Sequence, residues 1–196
     1  MAYTPSGIAH NLPSGDSRRV SFGPGILKLS TYAPSAAGGT PSVDVGYVRS
    51  GGQLTISREI IELLQGSPRK RVGRWASAEN VQFTISGVEW NLNNLAYALG
   101  VGTTTLNPAA GGKDSLTFGG SMDFSDLSLL YEHRLASGYT TTMYIWRCSG
   151  AGEVNITTGD DIHEFPMTFI ALEGTSNWTN GGLAVDSKLF KIDIQK

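Results

Sequence analysis

Cysteine is nearly absent: Cys148 is the only one in 196 residues. That excludes an internal disulfide framework and any multi-cysteine zinc or iron–sulfur site. Charge is scarce too, with Asp, Glu, Lys and Arg at 16% and a formal net charge of −2. A dedicated nucleic-acid binder is normally clearly basic, so the chain as a whole does not read as one. No apolar run reaches the ~18 residues of a membrane helix, and residues 1–15 lack a basic-then-apolar leader. The expectation is an uncleaved, soluble, intracellularly folded chain with no membrane partner. The spacing of βαβ units is also missing. What is abundant is small and polar: Ser, Thr and Gly make up 62 of the 196 residues, a composition of short strands and many turns. At 40% hydrophobic and 9% aromatic the chain is too apolar for disorder. It is long enough for one domain with a real core.

Charge is divided unevenly. Residues 1–75 hold nine Lys+Arg against four Asp+Glu, whereas residues 76–196 hold six against thirteen. The basic excess gathers at Arg69, Lys70, Arg71 and Arg74. A basic segment on an acidic body suits an acidic surface, including that of another copy.

Residues 1–42 are dense in Pro, Gly, Ser and Ala, with Val20–Phe22 and Ile26–Leu29 as the apolar nuclei, and read as an extended arm. From Val43 to Leu172 the pattern is strand. Leu54 and Ile56 alternate with Thr55 and Ser57, as a half-buried strand requires. The phase slips near Arg58 and Glu59, where Ile60 and Ile61 are adjacent, which predicts a bulge or a fully buried strand end. Gln65–Arg74 reads as a polar, basic loop, and Val81, Phe83 and Ile85 give the clearest alternation in the chain. One helix stands out: Leu92, Leu95, Ala96 and Leu99 form an apolar stripe, with Asn91 placed to cap its start and Gly100 its end. Further strands are expected at Ser115–Phe118, Leu127–Leu135, Tyr139–Cys148 and Ile162–Leu172. Within residues 174–196, Leu183–Ile194 has a β-like pattern with room for one more strand. The class is mainly β, antiparallel, a sandwich or barrel with one short flanking helix.

Chemistry is harder to find. Pro108–Asp114 puts a glycine pair before Lys113 but lacks the first glycine, the following Ser/Thr and the helix of a phosphate loop. Cys148 lies near His163 and Asp160/Asp161 across a turn, so a Cys–His nucleophile is one reading and a buried small hydrophobe the other. Asp160, Asp161, His163 and Glu164 could ligate a metal, yet one strand sends alternate residues to opposite faces and leaves half a site. The Arg69–Arg74 cluster beside Trp75 admits DNA phosphate, simple solvation or another subunit. Trp146 and Trp178 would either line a sugar-binding face or lie buried in strands. No catalytic residue, cofactor or metal is assigned, and no enzyme is expected.

The order of segments is more informative than any one motif. Val43-Asp-Val-Gly46 leads through Gly51-Gly52 into a long strand ending Leu63-Leu-Gln-Gly66. Val81–Gly87, Glu89 and the helix Asn94-Leu-Ala-Tyr-Ala-Leu-Gly100 follow. Then come Leu129-Leu-Tyr-Glu-His133, Met143-Tyr-Ile-Trp-Arg147 and His163-Glu-Phe-Pro-Met-Thr-Phe-Ile-Ala-Leu172. This succession resembles the tail tube (major tail) proteins of long-tailed bacteriophages over residues 43–173. The resemblance implies a β-sandwich with a flanking helix, whose strands join those of neighbours into a ring-shaped β-barrel. It implies hexameric rings stacked into the virion tail tube, assembled in the host cytoplasm, through which DNA is ejected into the host. The implied partners are further copies, the tail initiator, terminator and tape-measure proteins, and DNA in transit without specific binding. No small-molecule substrate is implied. By position, Arg69, Lys70, Arg71 and Arg74 fall in the family's inter-ring loop. A hydrophilic lumen that is not strongly basic would draw on Thr55, Ser57, Glu59, Ser128 and Glu132. The helix would pack through Leu92, Leu95, Ala96 and Leu99. Residues 1–42 and 174–196 match nothing in the family. The alternative is a carbohydrate- or receptor-binding β-sandwich module of a virion.

Overall fold

A computed structural model describes residues 24–32, 41–49, 51–89, 91–100, 103–105, 112–120, 122–135, 138–156, 164–174, 179–180, 183–184 and 188–195. The elements are β1 (Ile26–Thr31), β2 (Val43–Asp44), β3 (Gln53–Gln65), β4 (Lys70–Gly87), α1 (Leu92–Leu99), β5 (Thr103–Thr105), β6 (Ser115–Thr117), β7 (Leu127–Arg134), β8 (Thr140–Gly150), β9 (Phe165–Leu172), β10 (Thr179–Asn180), β11 (Leu183–Ala184) and β12 (Phe190–Ile194). Eight strands make one antiparallel sheet in the order β2-β1-β7-β8-β9-β4-β3, with β12 added to β8. Two small hairpins, β5–β6 and β10–β11, stand outside it.

The expected sandwich or closed ring-shaped barrel is not what forms. The sheet is one open path with two ends, β2 and β3. β2 is only two residues long before Gly46, at φ 91°, turns the chain away. A ladder needs several consecutive pairs, and among the described residues a single isolated bridge, Val48 to Gly87, crosses the gap to β4. The backbone bonds Arg49 N–H to Ser86 and Val88 N–H to Tyr47 support that bridge. Among the described residues no ladder joins β2 to β3.

The sheet curls around its core. Leu27 and Leu29 of β1, Phe83 and Ile85 of β4, Leu129 of β7, Ile145 of β8 and Met167 and Phe169 of β9 are all buried together. The alternating apolar phase of each strand supplies this inner face. Phe83 and Tyr131 meet across the curl with ring centroids 5.2 Å apart, and the Tyr131 hydroxyl accepts a hydrogen bond from Gly52 N–H. β1 lies inside the stretch 1–42 read as an extended arm. Its two fully buried leucines place it between β2 and β7. β12 comes from residues 174–196 and pairs with Thr141–Ile145, while β9 pairs with Arg147–Gly150 further along β8.

The helix spans Leu92–Leu99 and is capped as the sequence suggests. The Asn91 side chain accepts from Asn93 N–H, and Gly100 adopts the left-handed conformation at φ 70°. Its packing face is rotated from the expected stripe. Leu92, Leu95, Ala96 and Leu99 are half-buried, and the fully buried residues are Asn94 and Ala98. The reason is local. Ala98 is small enough for the helix backbone to meet Gly150, and the Asn94 amide donates to the Val45 carbonyl at 2.6 Å.

Candidate functional site

The most unusual part of the molecule is the ribbon formed by the far halves of β3 and β4. Every residue from Thr55 to Asn80 except Gly73 is exposed, whereas Val81 begins the buried run of β4. Gln65–Arg74, a loop by its sequence pattern, is a four-residue turn over residues 66–69 followed directly by strand. Gly and Pro mark only the turn; from Lys70 onward the cross-strand pairing of β3 and β4 outweighs the polar composition. The predicted irregularity near Arg58 and Glu59 is present as a register shift between Glu59 and Ile60. A second shift lies between Leu63 and Leu64. Both extra residues, Ser77 and Val72, fall on β4, so β3 runs uninterrupted.

Pairing sorts the ribbon into two faces. One carries Ile56, Arg58, Ile60, Glu62 and Leu64 opposite Val81, Glu79, Ala76, Arg74 and Arg71. Here Arg58 binds Glu79 at 2.8 Å, and Glu62 holds Arg71 at 3.0 Å and Arg74 at 3.6 Å. The other carries Ile61 and Leu63 opposite Trp75 and Gly73. The Trp75 indole lies across Gly73, in space a Cβ there would need, and stays 57% exposed. Ile61, Leu63 and Trp75 thus form an apolar patch in water on a ribbon tipped by Arg69 and Lys70.

The expected basic cluster is therefore split. Arg69 sits in the turn, Lys70 pairs with Gln65, and Arg71 and Arg74 share Glu62 on one face. Among the lumen candidates, Thr55, Ser57 and Glu59 share the outer face of β3, opposite Gln82, Asn80 and Ala78. Glu132 lies on the outer face of β7 and accepts from Lys28 Nζ at 2.8 Å, which raises the Lys28 pKa above its ordinary value. Ser128 drops out of any lining. It is 3% exposed, and its hydroxyl donates to the Trp146 carbonyl at 2.7 Å. Burial, with Glu132 and Asp193 near by, likewise raises the pKa of Tyr144.

The candidate nucleophile is inaccessible. Cys148 is fully buried, and burial, aided by the charge of Asp126, pushes its thiol far above the usual range. Asp160, Asp161 and His163 lie outside the described residues, and Glu164 is ion-paired with Arg49. Among the described residues no three His, Cys, Asp or Glu side chains converge on one point. Trp146 is 4% exposed and so presents no ring to a sugar; Trp178 lies outside the described residues. No described helix is long and apolar enough to cross a membrane. Sequence reasoning misses the apolar patch because Trp75 directly follows the basic cluster and reads with it. The signal is present in the alternation of Ile61 and Leu63 beyond the phase slip. Compared with protein-family models and with curated proteins, the chain matches none.

Proposed function

We propose that the chain is a structural, self-assembling protein of the tail tube kind, built into stacked hexameric rings that form the conduit for phage DNA. The observation that carries this reading is the ribbon. A 13-residue strand and the outer part of an 18-residue strand project from a complete core with Ile61, Leu63 and Trp75 in water. A monomer gains nothing from that exposure; a surface covered by the next subunit does. The ribbon occupies the position that the sequence resemblance assigns to contact between rings, and its basic tip complements the acidic residues 76–196. A ring arises where a head-to-tail contact closes, and a filament where an axial one does not.

Negative-stain electron microscopy of the purified protein, with light scattering on the same sample, tests this reading. Rings of constant diameter or hollow filaments are expected. A strictly monomeric chain across concentration, with or without preformed tail tips, overturns it.

A further inference from the structure

The unpaired edge of β3 carries a pattern of its own. β3 ends the sheet, and among the described residues no strand covers its outer side. Such edges are ordinarily blunted by charged side chains, above all Lys, by Pro or by bulges, and the three charges of β3 are Arg58, Glu59 and Glu62. β3 has neither Lys nor Pro, and both bulges of the ribbon fall on β4. A two-stranded ribbon is also marginal in water without further strands beside it.

One face of β3 is complementary to itself read backwards about Ile60, while on the other face the same register sets Glu59 opposite Ile61 and Ser57 opposite Leu63. In an antiparallel pairing of two copies centred there, Ile60 faces Ile60, Arg58 faces Glu62, and Ile56 faces Leu64. The rows extend inward through the observed register. Glu79, Arg58, the second copy's Glu62 and its Arg74 follow one another across four strands with strictly alternating charge. The central row, Ala76–Ile60–Ile60–Ala76, is apolar throughout. Opposite charges and apolar pairs directly across an antiparallel ladder stabilise it, and like charges there do the reverse. A slip of one residue either way puts Arg58 opposite Ile61 or Leu63, and a slip of two puts it opposite Ile60 or Leu64. None of these offers a carboxylate, so the pattern favours the register centred on Ile60 over its neighbours.

We infer that the free edge of β3 is a docking site for a second copy of this chain, forming a two-fold dimer through a four-stranded sheet centred on Ile60. This goes beyond the tube reading and does not rest on it. Ring contacts are head-to-tail, whereas this contact is the same patch on both partners and closes on itself. It uses the same ribbon that the proposed assembly would use, so dimer and tube would compete for one surface. One strand pair buries less than the ~1,200 Å² of a standard interface. The dimer is accordingly a weak one, and its measurement extends to several hundred micromolar.

The test uses the full chain and charge reversal. Arg58→Glu and Glu62→Arg, each alone, set like charges opposite one another in both symmetric rows. Each variant is expected to weaken the dimer about tenfold or more by sedimentation equilibrium. An equimolar mixture restores complementary pairs and is expected to return the affinity to within about threefold of the parent. A second arm is independent of charge. Ile60→Cys places two thiols across the two-fold at the ~4.5–5.5 Å Cα spacing that a disulfide tolerates. Oxidation is expected to give a covalent dimer and nothing larger, since Cys148 is buried. Ile56→Cys mixed with Leu64→Cys is expected to cross-link far more than either alone. A parent chain that remains monomeric at several hundred micromolar overturns the proposal. So do single variants that dimerise as the parent does, or cysteine pairs that cross-link without regard to register. Tubes in micrographs bear only on the assembly reading, and the cross-linked dimer only on this one.

Discussion

Single positions in this protein are decided by how closely backbones approach. Gly150 is the clearest: a Cβ there would enter the carbonyl oxygens of Tyr97 and Ala98, where the last turn of α1 rests on β8. Backbone cannot step aside cheaply, so Gly150→Ala is expected to cost about 2 kcal/mol or more and to lower the melting temperature by roughly 5 °C. Cys148 makes a different prediction. Its folded pKa lies above its ordinary value of 9.0, because burial disfavours the thiolate. Above that value the unfolded chain releases a proton that the folded chain retains. The folded state therefore binds more protons, and stability falls as pH rises. From pH 9 to 11 the parent is expected to lose about 2 kcal/mol more than Cys148→Ala, measured by urea denaturation at each pH. A parallel loss in both proteins would remove burial of this thiol as the cause.

Elements are legible in the sequence where one force acts alone. The helix is, since its apolar repeat, Asn91 and Gly100 all agree on the same boundaries. So are β8 and β9, whose alternation follows from packing one face on the core, while β7 is legible as a strand although both of its faces are buried from Leu127 to Tyr131. The start of β4 is not. Gly66, Pro68, Gly73 and four cations read as loop, yet pairing with the apolar phase of β3 carries the strand right up to the turn. The open sheet is not legible either, because strand count and patterning do not distinguish a closed ladder from one that stops at a two-residue β2. At the candidate site, the composition exposes the charges but hides the apolar patch among them. The triple reversal Arg69→Glu/Lys70→Glu/Arg71→Glu tests that element's role in assembly. It leaves Glu62 with Arg74 alone, a surface change of ~0.5 kcal/mol or less, so melting is expected to stay within about 2 °C. Tube length, measured on micrographs, is expected to fall sharply. Tubes of normal length from this variant would remove the ribbon tip from stacking.

At the scale of the whole molecule, stability is uneven. Core and ribbon share one sheet, but only the core has a buried face. Amides of β3 and β4 beyond Arg58 and Glu79 are expected to exchange with solvent about a hundredfold faster than those of Val81–Gly87, by hydrogen exchange on dilute protein. Protection should then rise in the ribbon alone as concentration increases. Uniform protection along β4 in the dilute sample would show instead that the ribbon is stable without any partner. The length of β4, bulged at Val72 and Ser77 but never interrupted by a turn, has a mechanical meaning. It is a single strand from the turn at residues 66–69 to Gly87, and its last stretch, Gln82–Gly87, lies in register with Phe165–Ile170 of β9. A pull on the tip travels along this backbone and reaches the β4–β9 ladder parallel to the strands. Hydrogen bonds there run across the strands, so they are loaded together in shear instead of being unzipped in turn. The ribbon is thus tethered like a tendon, with tension on it spread over the six paired positions that join β4 to β9.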